Sequence, residues 1–152
     1  MSDNYFTIKS PVWIVDPFPY VKKMLRKHHG VKLAKPKKHK VVVSPLNRVD
    51  WNRLEKFCKL KADGLNISYT IHDDSPKYHK PVSSQIAFQR WNAPLSHIAH
   101  ECSHASSDIV RHVNSANKGI RRKELEEVRS YTMGFLVDEV EKLIRTNRVR
   151  TK

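Results

Sequence analysis

Between Ala93 and Arg145 the chain carries two long apolar stripes at helical spacing, and these restrict its fold more than any other feature. Leu95, Ile98, Ala99, Cys102, Ala105 or Ser106, Ile109 and Val113 recur at three- and four-residue steps behind Pro94, which suits a first helical turn. Leu125, Val128, Thr132, Phe135, Leu136, Val140 and Leu143 form a second stripe, and the run Asn114 to Gly119 separates the two. The spacing predicts helices over about 93–113 and 122–145.

Upstream, the pattern changes to short β-branched and aromatic runs cut by turn residues. Strands are expected within Tyr5 to Val15, at Val41 to Val43, from Asn66 to His72 and from Ser84 to Trp91. Pro19 opens a short helix through Lys27 that Gly30 stops, and Trp51, Leu54 and Phe57 mark another from about Asp50 to Ala62 ahead of Gly64. A length of 152 residues fits one domain, 1–152. The expected class is α+β, with a short N-terminal sheet packed on the 93–113 helix and the 122–145 helix closing whatever site that first helix carries. No run approaches the roughly 18 apolar residues of a membrane span, and Met1-Ser2-Asp3-Asn4 does not begin a secretory signal. A membrane-free, cytoplasmic protein with Cys58 and Cys102 reduced is the expectation.

Inside the first long helix lies His100-Glu101-Cys102-Ser103-His104, the pattern H-E-x-x-H. Residues four apart sit one above the other on a helix, so both imidazoles can reach one cation from successive turns. Glu101 is turned by about 100° from His100, which sets its carboxylate beside such a cation as a general base. Zn2+ is the expected cofactor: it lowers the pKa of a water it holds to about 7 and polarises a carbonyl, the chemistry of amide hydrolysis. On a helical wheel His97, His100, His104 and Arg111 lie opposite the apolar stripe.

Catalytic zinc keeps three protein ligands and one open position. His112 would stand about 12 Å along a continuous helix from His104 and off its face, so it joins only where the helix breaks. The glycine and third histidine of the metzincin layout are absent. The second helix offers Glu124, Glu126 and Glu127, of which Glu124 and Glu127 share a flank with Tyr131. Glu127 is the chosen third ligand, and Tyr131 is the candidate donor to a developing oxyanion. Asp108 and His97 are candidates to orient the ligands.

The run His100-Glu-Cys-Ser-His-Ala, then Asp108-Ile-Val, a glycine-containing break, and Glu126-Glu127-Val-Arg-Ser-Tyr131 with Gly134-Phe-Leu resembles a group of small zincin-like metallopeptidases encoded by bacteriophages and prophages. The resemblance covers about Leu95 to Val140. It implies a small zincin-like fold with His100, His104 and Glu127 as gluzincin-type ligands, Glu101 as base and Tyr131 as the family tyrosine. It also implies residence in a bacterial host cytoplasm or a virion. Ser130 stands where that group usually has alanine.

The formal net charge of +14 is unevenly placed, with no acidic residue from Pro17 to Arg48. Lys22, Lys23, Arg26, Lys27, Lys32, Lys35, Lys37, Lys38 and Lys40 fill that basic region, about 18–40, and Arg145, Arg148, Arg150 and Lys152 repeat the bias at the C-terminus. The basic region favours nucleic acid or an acidic protein as a partner, while the peptide or protein substrate is what the H-E-x-x-H motif and the zincin resemblance imply. Three rivals stand beside the hydrolase: a DNA-associated protease resembling the SprT-like group, which needs a third histidine; a non-enzymatic nucleic-acid binder; and an inactive zincin scaffold that contacts a host protein.

Overall fold

The computed structural model describes residues 12–57, 68–72, 82–89 and 93–150. These form an α+β arrangement of four strands and four helices. In chain order they are β1 (Trp13–Val15), α1 (Phe18–His29), β2 (Val41–Pro45), α2 (Arg48–Phe57), β3 (Ser68–His72), β4 (Ser84–Phe88), α3 (Leu95–Ala116) and α4 (Arg122–Arg150). The expected strand residues before Val12, the end of the Asp50 to Ala62 helix and the strand end at Trp91 lie outside the described residues, as does Cys58.

The sheet is mixed, in the order β1-β2-β4-β3, with β1 antiparallel to β2, β2 parallel to β4 and β3 antiparallel to β4. Alternation assigns each strand residue to a face. Val15, Val41, Val43, Ile86 and Phe88 face a core shared with Phe18, Val21 and Leu25 of α1, Ile98, Cys102, Ala105, Ile109 and Val113 of α3, and Val128, Leu136 and Val140 of α4. On the opposite face Ile71 and Ala87 pack with Leu46, Trp51 and Leu54, so α2 covers the back of the sheet. Helices therefore flank both sides, and α2 lies within the crossover that joins parallel β2 and β4.

The local signals in the sequence act as their chemistry dictates. Gly30 adopts φ 65° and ψ 20° after α1, and its N–H closes back onto the Arg26 carbonyl while the Val31 N–H reaches that of Leu25, a left-handed helix ending that favours glycine. Asn47 caps α2 by accepting the Asp50 N–H at 2.8 Å. At the end of α3, Asn117 donates to Val113 O and Ala34 O and accepts from the Ala34 N–H, which ties the helix to the loop after α1. Only five residues link α3 to α4, so α4 folds back along α3, and it packs on α1 as well. No described helix is long and apolar enough to cross a membrane.

Candidate metal centre and its neighbours

α3 runs unbroken from Leu95 to Ala116, which places the H-E-x-x-H residues on one rigid element. Its apolar side is buried in the main core, while His100, His104 and Arg111 are exposed, as the helical wheel requires. Leu95 departs from the stripe and is 56% exposed. The same continuity keeps His112 about 12 Å along the axis from His104.

The Nε2 atoms of His100 and His104 approach to 3.3 Å, with ring centroids 4.9 Å apart and planes at 80°. Tetrahedral zinc with metal–nitrogen bonds of about 2.0–2.1 Å separates its ligating nitrogens by roughly 3.3–3.4 Å. The pair thus has the spacing of two corners of such a site, and the donor set fits the ion. Without a cation, the same approach is a hydrogen bond in which one ring donates and the other accepts.

β3 lies under this part of α3 and turns three polar side chains toward it. Ser68, Thr70 and His72 share a strand face by alternation, and all three meet α3. Ser68 Oγ donates to Glu101 Oε2 at 2.8 Å, and Thr70 Oγ1 donates to Glu101 Oε1 at 2.6 Å. Glu101 is buried at 5% exposure, beside the histidine pair and not on it. A carboxylate has about four lone-pair positions, so two hydroxyl partners leave it able to take a proton.

His72 closes the group. Its Nδ1 donates to Asp108 Oδ2 at 2.7 Å, which leaves the Nε2 lone pair available, and its ring stands 5.5 Å from the His104 ring at 80°. Two imidazoles on one tetrahedral zinc have centroids about 5 Å apart, so both measured spacings suit a shared ion. Asp108 is buried, and burial raises its pKa above the usual carboxylate value, opposed by the hydrogen bond and charge of His72 and by the charges of Arg111 and His112. His97 Nδ1 lies 3.4 Å from Ser68 Oγ at the other end of the row. Among the described residues, no three His, Cys, Asp or Glu side chains surround a single point. Cys102 faces the core, where burial, and then the charge of Glu101, push its thiol up to about 12; it supplies no thiolate at neutral pH.

The glutamates of α4 are placed elsewhere. Glu124 accepts the Arg121 N–H at 2.9 Å and pairs with the Arg121 guanidinium, and the backbone bond, followed by the side-chain bond, holds its carboxyl below the usual range. Glu126 pairs with Arg122. The structure does not bring Glu127 to His100 and His104: its Oε2 lies 3.6 Å from His29 Nε2 at the end of α1. Tyr131 follows it, with its hydroxyl 3.3 Å from the same His29 nitrogen and its ring edge-on to Tyr20. Ser106 Oγ of α3 meets Met133 Sδ of α4 at 3.8 Å. The α4 residue that does reach the motif is Arg129, whose Nη2 donates to Ser103 Oγ at 3.4 Å.

Sequence reasoning missed Ser68, Thr70 and His72. Their signal is the alternation Ser68-Tyr69-Thr70-Ile71-His72, polar on one face and apolar on the other. Compared with known proteins, the chain matches no family model, no curated protein and no solved structure.

Proposed function

We propose that this protein is a zinc-dependent hydrolase of peptide or other amide bonds, with His100, His104 and His72 as the ligating side chains. The observation that carries the reading is the 3.3 Å approach of the two Nε2 atoms on one side of α3, matched to the edge of a tetrahedral zinc site. His72 takes the third place in preference to Glu127 because its ring is next to His104 while Glu127 is engaged with His29. Asp108 fixes the His72 tautomer, the arrangement in which a carboxylate orients a metal-binding imidazole.

A bound zinc would supply Lewis acidity toward a carbonyl and acidity to a water. The chain's own residues do the rest. Glu101 receives the proton at a carboxylate oxygen, and Ser68 and Thr70 hold that carboxylate in place. β3 is the last strand on its side of the described sheet, so an extended peptide laid along it would run past His72 toward the histidine pair. Arg129, at the Ser103 side of the motif, is positioned to attract a substrate carboxylate.

Zinc titration into chelator-treated protein tests this reading. About one ion per chain is expected, with binding lost in His100→Ala and His104→Ala. Glu101→Gln should keep the ion and lose turnover of a mixed peptide library. Protein that refuses zinc at neutral pH ends the hydrolase reading.

A further inference from the structure

The two cation-rich helices treat their charge differently. On α4 or at its start four cations are matched with carboxylates, Arg121 with Glu124, Arg122 with Glu126, Lys142 with Glu139 and Arg145 with Glu141, while Arg129 donates to Ser103 and Lys123 has no described carboxylate partner. On α1, Lys22, Lys23, Arg26 and Lys27 are all exposed, and no described carboxylate pairs with any of them. They lie as two i,i+4 rows within about 8 Å of helix length. The loop that follows adds exposed Lys32, Lys35, Lys37 and Lys40.

Cations in the last turn of a helix favour its dipole, which accounts for Arg26 and Lys27 but not for Lys22 and Lys23 in the middle of α1. Four uncompensated like charges on one short face repel each other, and a partner of opposite sign relieves that repulsion. The face also lacks what other polyanions ask for. Binding of single strands relies on aromatic platforms, and Tyr20, the exposed aromatic of α1, is already stacked on Phe135 at 5.3 Å. Duplex RNA is met across successive minor grooves through 2′-hydroxyls as well as phosphates, so one short row of cations suited to phosphate alone favours DNA.

We infer that the exposed face of α1 is a docking surface for the phosphate backbone of double-stranded DNA, without sequence preference. A duplex carries one charge per about 1.7 Å of axis, so all four side chains can meet phosphate together. The surface is separate from the candidate metal centre: α1 follows directly from β1 at one edge of the sheet, while His72 is on β3 at the other. The inference therefore stands or falls independently of zinc.

Fluorescence anisotropy with a labelled 20-base-pair duplex reads it directly. Wild type should bind with steep salt dependence, and the combined Lys22→Ala, Lys23→Ala, Arg26→Ala, Lys27→Ala variant should lose at least tenfold in affinity at about 0.1 M salt. Its log–log salt slope should be shallower by about 3–4, since each phosphate contact contributes about 0.9. Alanine favours helix, and circular dichroism checks that α1 persists. Arg122→Ala with Lys142→Ala on α4 should change affinity less than twofold. An unchanged slope in the α1 variant, or tighter binding to a single strand, duplex RNA or polyglutamate than to duplex DNA, overturns the inference.

Discussion

Among the described residues histidine meets carboxylate at three places, and apart from His39 with Asp16 near β1 the two that involve the long helices differ in what surrounds the pair. At the α3–β3 face, Asp108 engages Nδ1 of His72, whose ring adjoins His104, with His100 and buried Glu101 alongside. At the α1–α4 seam, His29 meets both Glu127 and Tyr131 through the same nitrogen, Nε2, and the ring packed beside it is the Tyr131 phenol and not a second imidazole. A histidine becomes a candidate ligand when its partner takes one nitrogen and leaves the other facing further donors. The first region meets that condition and the second does not.

Substitutions that separate the regions sharpen the contrast, and the largest effect belongs to the helical pair. His104→Ala should weaken zinc binding by more than 100-fold in calorimetric titration, while Glu127→Ala and Tyr131→Phe leave the affinity within about twofold. Asp108→Asn comes next, with a loss of about 10–100-fold in zinc affinity and the stoichiometry preserved. A loss on Glu127→Ala as large as that on His104→Ala would return the third-ligand role to α4.

Stability effects follow. Thr70→Val leaves buried Glu101 with one hydroxyl donor in place of two and should cost about 1–3 kcal/mol in urea unfolding. At the seam, His29→Ala removes a partly exposed contact and should cost less than about 1 kcal/mol. The smallest effect concerns Glu124, whose carboxyl is held below its ordinary value of 4.5 by the Arg121 N–H. A depressed carboxyl stabilises the fold in full above that ordinary value, and the contribution disappears as pH falls through the lowered folded value. Glu124→Gln should therefore lower stability slightly above pH 4.5, pH 7 included, and converge with wild type as pH falls through the lowered value, which flattens the acid side of the stability curve.

The sequence made the helices legible because their burial follows a period that can be counted. Ile98, Cys102, Ile109 and Val113 are all buried, and the exposed pair His100 and His104 sits on the opposite side. It could not show which neighbour each flank of α4 would meet. Glu127 and Tyr131 do share a flank, as counted, but that flank faces α1 and His29 instead of the motif. The choice depends on the crossing of three helices, which no single-helix wheel contains. His72 was hidden for a related reason. Alternation groups it with Ser68 and Thr70, yet only the strand order, with β3 at an edge under α3, turns that group toward Glu101 and Asp108.

X-ray absorption on the zinc-loaded protein, counting histidine ligands, tests the central claim most directly. About three imidazoles are expected in wild type and about two in His72→Ala, with no change in Glu127→Ala. A count of two in wild type that does not respond to His72→Ala, together with a carboxylate signal that vanishes in Glu127→Ala, would contradict it.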